Sequence, residues 1–210
     1  MLDVAAPQGT IDLLGHSMGG NLAMLYAGIR PHRIRKLINL EGFGLPATHA
    51  KEAPGRYARW LDQLKSPQVL QPYASAGAVA DKLQKNNPRL TRERAEWLAP
   101  YWARQADDGL WHLRADPAHK HINPILYQKD EAMACWARIS AHMLWVEGDQ
   151  TPFFGNNNPW WSGAYPRAEF DERVSVVPHV ERCVLPGAGH MLHHDQPEAL
   201  ATAILGFLGS

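Results

Sequence analysis

Residues 13–20 read Leu-Leu-Gly-His-Ser-Met-Gly-Gly and decide the fold of this chain. They place the pattern Gly-x-Ser-x-Gly between an apolar run that begins at Ile11 and an apolar-periodic stretch that ends near Ile29. A strand, a sharp turn and a helix in that order are typical of a nucleophile elbow, whose turn forces the serine into a sparsely populated backbone conformation. Ser17 is therefore the candidate nucleophile. We expect Gly15 and Gly19 to be required because a Cβ at either position would collide with the crowded turn.

The elbow also predicts where negative charge would be stabilised. The backbone N–H of Met18 would lie at the positive end of the new helix, where it can point at an oxyanion that forms beside Ser17. A glycine-rich turn without any chemistry is the alternative interpretation, since so short a pattern also arises by chance. Features further along the chain favour the catalytic interpretation.

Hydrophobic patterning predicts an α/β fold with one helical insertion. Four short apolar runs are typical of buried parallel strands, at 11–14, 36–40, 141–146 and 181–185. Helix-compatible stretches lie at 21–29, 55–64, 76–85, 91–105, 129–138 and 167–177. Because strand-like runs disappear between the second and third strands, we divide the chain into a core segment at 1–45, a helical cap insertion at 46–134 and a second core segment at 135–210.

The insertion contains four tryptophans, at positions 60, 97, 102 and 111. We expect most of these side chains to pack in the core of the insertion. The alternative is that some of them line a pocket over Ser17.

Composition excludes several classes of protein. Lysine plus arginine equals aspartate plus glutamate at 21 each, so the chain lacks the basic character of a nucleic-acid-binding protein. No segment approaches the roughly 18 uninterrupted apolar residues of a membrane span. Cys135 and Cys183 form no CxxC motif, and we interpret them as buried reduced thiols of a cytoplasmic protein.

A serine hydroxyl needs a base to remove its proton, and a histidine oriented by a carboxylate is suited to this task. His190 is the candidate base because it follows the fourth strand in Gly-Ala-Gly-His, a turn that lets the imidazole reach back over the sheet. Asp149 is the favoured acid because it lies in the loop after the third strand. Glu147 is the alternative acid, and Asp171 is a third candidate.

Other histidines follow His190 closely, at positions 193 and 194. A His-x-x-His-His run could hold zinc, but neither a His-Glu-x-x-His pattern nor a nearby cysteine accompanies it. We therefore predict no metal site and assign His193 and His194 to positioning roles. Asp195 is the expected N-cap of a final helix that carries Pro197 in its first turn.

These motifs together resemble the α/β-hydrolase superfamily, specifically its cap-bearing branch of serine-hydrolase-like and epoxide-hydrolase-type proteins. The resemblance rests on the elbow at 15–20, the helical insertion after the second strand, the acid after the third strand, and the stretch 189–197 around the histidine. It implies the triad Ser17, Asp149 and His190. A serine at the elbow argues against true epoxide hydrolases and haloalkane dehalogenases, which use aspartate there.

The resemblance implies a serine hydrolase that cleaves an ester, thioester or related acyl bond in a small-molecule substrate, without a cofactor. The alternatives are a C–C bond hydrolase with the same triad and a non-catalytic binding module of the same fold. No nucleic-acid or membrane partner is expected.

Members of the superfamily have about four strands before the elbow strand, whereas only sixteen residues precede Ser17 here. We therefore expect this chain to be the C-terminal part of a longer hydrolase, to be weakly active as given, and to regain activity with roughly 80 upstream residues. We also expect the exposed edge of the elbow strand to favour self-association.

Overall fold

The computed structural model describes residues 2–66, 69–151 and 165–209. The strands are β1 (Ile11–His16), β2 (Ile34–Leu40), β3 (Ala103–Gln105), β4 (Trp111–Leu113), β5 (His142–Gly148) and β6 (Val180–Leu185). The helices are α1 (Leu2–Ala5), α2 (Met18–Ile29), α3 (Ala53–Lys65), α4 (Ala76–Asn86), α5 (Arg92–Trp102), α6 (Lys129–Trp136), α7 (Arg167–Ser175), α8 (Leu192–Asp195) and α9 (Pro197–Gly209). The Asn- and Trp-rich stretch 155–163 lies outside the described residues.

The four strands that hydrophobic patterning predicts form one parallel sheet in the order β1-β2-β5-β6. Helix α2 connects β1 to β2, which makes the parallel pair that a βαβ unit requires. Because the strands are parallel, their carboxyl ends lie at the same end of the sheet. The loops that follow β1, β2, β5 and β6 therefore converge there, and this carboxyl-terminal end carries the candidate site.

Apolar side chains cover both faces of the sheet, as parallel sheets require. Along β2, Leu37 belongs to the cluster that includes Trp145 and Phe170, whereas the next residue, Ile38, belongs to the cluster that includes Val146 and Phe207. This alternation follows from the two-residue period of a strand. It explains why these strands appear in the sequence as nearly continuous apolar runs.

The contacts divide the chain into two compact units, Met1–Ala47 with Tyr127–Ser210, and Thr48–Leu126. The second unit ends before the boundary expected at 134, because α6 belongs to the first. Helix α6 lies so close to α2 that a Cβ on Gly28 would collide with the backbone of Cys135. The sheet and its helices therefore form one unit, and the helical insertion forms the other.

Within the insertion, α4 and α5 pack through small and aliphatic side chains, including Val79, Leu83, Ala95 and Ala99. The expectation that the tryptophans fill this core is wrong for two of them. Trp97 is 64% exposed and Trp102 is 40% exposed, because the alanines of α5 occupy its packed face. The antiparallel pair β3–β4 was not predicted, because residues 103–105 were expected to continue the α5 helix.

In the described part of the chain, β1 pairs with β2 and lies at the edge of the sheet. Leu14 on this strand remains 46% exposed. Among the helices that the structure describes, none combines the length and the apolar character that crossing a bilayer requires.

Candidate active site

Ser17 occupies the turn between β1 and α2 with φ 54° and ψ −119°, a conformation that costs a non-glycine residue about 1–3 kcal/mol. This is the strained turn that the elbow motif predicts. The Ser17 N–H donates to the carbonyl of Leu40 at 2.8 Å, so the turn is tied to the end of β2. Met18 follows as the first residue of α2, where backbone N–H groups have no acceptor within the helix.

Only some of the elbow glycines lie where a Cβ would collide with neighbouring atoms. A Cβ on Gly15 would collide with the carbonyl of Gly19, and one on Gly20 would lie 2.6 Å from Asn39 Oδ1. The space around the Cβ position of Gly19 is open, so the expectation that Gly19 is required sterically is wrong. The close approach occurs at Gly20 because the start of α2 packs against Gly42 in the loop after β2.

His190 lies in the loop after β6, and its imidazole faces Ser17. The distance from His190 Nε2 to Ser17 Oγ is 2.9 Å, which is an ordinary hydrogen bond. The two residues are 173 positions apart in sequence, yet parallel strands bring their loops to the same end of the sheet. The structure therefore brings the candidate nucleophile and the candidate base within hydrogen-bonding distance of each other.

The carboxylate beside His190 belongs to Glu41, which sequence analysis did not select. Glu41 Oε2 lies 3.1 Å from His190 Nδ1, on the opposite side of the ring from Ser17. An ionised carboxylate only accepts hydrogen bonds, so Nδ1 carries the proton and Nε2 is left to accept from the serine hydroxyl. This is the tautomer that a general base requires.

Glu41 is fixed by three donors. Besides His190, the Gly148 N–H donates to Glu41 Oε1 at 2.6 Å and the Thr151 hydroxyl donates to the same oxygen at 2.9 Å. Glu41 is only 1% exposed, and burial raises the pKa of its carboxyl while the hydrogen bonds from His190 and Gly148 act in the opposite direction. Its backbone φ of 57° is in the left-handed region, which an L residue rarely adopts.

Strand order explains why Glu41 reaches the histidine. Strand β2 lies directly beside the elbow strand, and Glu41 is the first residue after β2. The Glu41 N–H continues the ladder by donating to the carbonyl of Val146 at 3.0 Å. A signal was present in the sequence, because Asn-Leu-Glu-Gly at 39–42 puts a carboxylate and a glycine straight after a predicted strand.

Asp149 is exposed and turns towards a different partner. Its Oδ1 accepts a hydrogen bond from the Gly187 N–H at 2.8 Å, and its own N–H donates to the carbonyl of Leu185 at 3.2 Å. Asp149 thus stabilises the turn that precedes His190 and does not take the position on Nδ1 that was expected of it. The imidazole of His190 reaches Ser17 at the end of β1, and Asp149 follows β5, which is one strand further from β1 than the strand that precedes Glu41.

The other two candidate acids form ion pairs beside α7. Glu147 is the penultimate residue of β5, and it accepts from Arg167 Nη2 at 2.8 Å and from Trp145 Nε1 at 3.2 Å. Asp171 pairs with Arg182 at 2.9 Å and with Arg167 at 3.3 Å. None of these four contacts involves His190.

A buried arginine holds the segment that leaves Glu41. Arg173 on α7 is 1% exposed, donates to the carbonyl of Leu45 at 2.7 Å and pairs with Glu169 at 2.6 Å. Its guanidinium also lies 3.6 Å from the ring centroid of Tyr165, whose hydroxyl donates to the carbonyl of Phe43. Residues 43–45 are therefore anchored at two carbonyls, which fixes the turn that carries Glu41.

The remaining residues of the histidine loop have structural contacts. Asp195 Oδ2 accepts from the Gly189 N–H at 2.8 Å, so Asp195 supports the loop that carries His190. Burial lowers the pKa of His194 and lowers that of His193 to about 4. Within residues 2–66, 69–151 and 165–209, no group of three or more His, Cys, Asp or Glu side chains is arranged to hold a metal ion.

Curated relatives that resemble the chain include three hydrolases or hydrolase-like proteins. A serine hydrolase-like protein of Dictyostelium discoideum is 22% identical over 95% of this chain and 55% of its own length. The esterase YbfF of Escherichia coli is 25% identical over 93% of this chain and 66% of its length. The sn-1-specific diacylglycerol lipase ABHD11 of Mus musculus is 23% identical, with coverage of 93% and 58%. The chain thus spans about 55–66% of the length of these relatives.

Solved structures and a family profile lead to the same fold. The hypothetical protein PA1622 of Pseudomonas aeruginosa superposes with a TM-score of 0.81 at 23% identity, over 100% of this chain and 71% of its own. The thioesterase domain from the curacin biosynthetic pathway superposes with a TM-score of 0.72 at 23% identity, over 97% and 68%. The profile of the alpha/beta hydrolase family matches residues 2–203. This chain belongs to the alpha/beta hydrolase family.

Proposed function

We propose that this chain carries the acyl-transfer site of a serine hydrolase, with Ser17 as nucleophile, His190 as general base and acid, and Glu41 as the residue that orients His190. The proposal is supported by one continuous chain of hydrogen bonds, from Ser17 Oγ to His190 Nε2 at 2.9 Å and from His190 Nδ1 to Glu41 Oε2 at 3.1 Å. A serine, an imidazole and a carboxylate in this geometry are what nucleophilic catalysis by a hydroxyl requires.

In the proposed reaction, Ser17 Oγ attacks the acyl carbonyl while His190 Nε2 takes the hydroxyl proton. The carbonyl oxygen becomes an oxyanion, to which the Met18 N–H at the start of α2 can donate. Collapse of the tetrahedral intermediate breaks the bond to the leaving group, which receives the proton from His190. Water then attacks the acyl-enzyme by the same route, which releases the acid and regenerates Ser17.

The substrate class we propose is an ester or thioester of a small molecule. The names of the relatives favour acyl-bond cleavage, since they include an esterase, a diacylglycerol lipase and a thioesterase domain. The chemistry of the three side chains is the same for oxygen and sulfur leaving groups. Esters and thioesters with matched acyl groups should therefore be tested side by side.

We expect a fluorophosphonate probe to label the chain at Ser17, at the low rate that weak activity implies, because a serine that is not activated does not displace the fluoride appreciably. Peptide mass spectrometry should find the phosphonate adduct on the peptide that contains Ser17. Ser17→Ala is the matched control and should remain unlabelled. Labelling at a different serine, or none on the folded wild-type chain, would contradict the proposal and favour a non-catalytic binding role.

We also propose that the chain associates with a second copy through the edge of β1. This edge strand carries Leu14 at 46% exposure, and an edge without a partner strand is a template for pairing. Sedimentation velocity should show concentration-dependent association, and Leu14→Lys should shift it to the monomer. Leu205→Lys on α9, where the leucine is 68% exposed, is the control for removing an exposed apolar side chain elsewhere. Equal effects of both substitutions would argue against the edge as the interface.

A further inference from the structure

His16 lies between Gly15 and the nucleophile in sequence, and the reaction described above does not use it. Its Nε2 is 2.7 Å from the backbone carbonyl oxygen of His190. A carbonyl only accepts, so Nε2 of His16 carries a proton and donates it. This bond connects the residue next to the nucleophile with the backbone of the base, across 174 positions of sequence.

The ring of His16 also packs inside a group of imidazoles. Its centroid lies 5.0 Å from that of His190 and 4.8 Å from that of His193. Burial lowers the pKa of His16, and the hydrogen bond to His190 acts in the opposite direction. A neutral His16 donates from Nε2 without placing a second positive charge beside His190 when that ring takes the serine proton.

The loop that carries His190 needs external support. Gly187 and Gly189 precede the histidine, and Gly187 adopts a φ of 71°, so this backbone has few side chains to restrain it. Asp195 holds the loop on one side of His190, through the Gly189 N–H at 2.8 Å. His16 holds it on the other side, through the carbonyl of His190 itself. The two hydrogen bonds together flank the base.

We propose that His16 is a positioning residue for catalysis, whose Nε2–H donates to the His190 carbonyl and thereby keeps the imidazole of His190 within hydrogen-bonding reach of Ser17. This inference rests on the proposed function of Ser17 and His190. The first x of the Gly-x-Ser-x-Gly pattern must then be a side chain that donates a hydrogen bond. A residue that merely fits the turn is not sufficient.

Two substitutions distinguish the effect of the hydrogen-bond donor of His16 from the effect of its aromatic ring. His16→Gln keeps an N–H donor at the position of Nε2 but loses the aromatic ring, whereas His16→Phe keeps the ring and loses the donor. If the hydrogen bond positions His190, His16→Gln should label with fluorophosphonate at nearly the wild-type rate. His16→Phe should label about ten- to a hundredfold more slowly, since small misplacements of catalytic groups have effects of that order.

A second measurement follows the geometry of His190 without relying on reactivity. The Nδ1 proton that His190 shares with Glu41 should give a low-field proton resonance, which disappears when Glu41→Gln is introduced. We expect this resonance to persist in His16→Gln and to broaden or vanish in His16→Phe. His32→Phe, at an exposed position in the turn after α2, is the control for the general effect of this replacement.

Equal labelling and an unchanged resonance in His16→Phe would overturn the positioning role, as would a loss of both in folded His16→Gln, which would point to ring packing instead. If His16→Phe does not fold by circular dichroism, His16→Leu provides the same loss of donor. A folded wild-type chain with neither labelling nor the resonance would contradict the proposed function first, and the role of His16 with it.

Discussion

Ser17→Ala and His190→Ala are each expected to remove nearly all acyl transfer, because the hydroxyl and the imidazole act as one unit. In the proposed mechanism the hydroxyl and the imidazole, which lie 2.9 Å apart, depend on each other. The double variant should therefore be hardly slower than either single variant. Single-turnover hydrolysis of an activated ester measures all three rates, and thermal melting should show that the variants are folded.

Additive losses in the double variant would mean that the two residues act in separate steps. Hydrolysis by Ser17→Ala at the wild-type rate would show that Ser17 is not the nucleophile. Removal of the Ser17 hydroxyl should also leave the Glu41–His190 contact intact, because Glu41 is held independently by Gly148 and Thr151.

Glu41→Gln should lower turnover by about ten-thousandfold while substrate binding changes little. The amide oxygen can keep the hydrogen bonds from the Gly148 N–H and the Thr151 hydroxyl, which directs the amide NH₂ towards His190 Nδ1. His190 would then accept at Nδ1 and carry its proton on Nε2, where it can no longer take the proton of Ser17. Steady-state kinetics should show the loss in kcat, with KM nearly unchanged.

Asp149→Asn is the matched control for the carboxylate. Its amide oxygen can still accept from the Gly187 N–H, so the turn before His190 should survive and turnover should stay near the wild-type value. The comparison decides between the structure and the sequence-based prediction, which favoured Asp149. A large loss in Asp149→Asn with little effect of Glu41→Gln would make Asp149 the acid and leave Glu41 with a structural role.

The positions of the candidate nucleophile and the candidate base could be predicted because each follows a short local pattern. Gly15 leaves room for the turn at Ser17, and the apolar run before it predicts the strand that supports the elbow. His190 follows a strand through a glycine-rich turn in the same way. The α/β fold was likewise predictable, since buried parallel strands and helices differ in hydrophobic period.

The acid could not be assigned from the sequence, because two strands end in similar loops. Glu41-Gly42 follows β2 and Glu147-Gly148-Asp149 follows β5, and both offer a carboxylate at the same end of the sheet. Distance to His190 depends on the lateral order of the strands and on the donors around each carboxylate.

By itself, the sequence determined where the four strands of the parallel sheet lie, where the backbone turns sharply, and that a serine and a histidine follow two of those strands. The tertiary structure decided that Glu41 faces His190, that Asp149 supports a turn, and that His16 donates to the His190 carbonyl. The physical reason is the separation in sequence of the groups that interact. Hydrophobic period and turn chemistry act between neighbours in the chain. Hydrogen bonds between residues more than a hundred positions apart depend on how the strands are packed side by side.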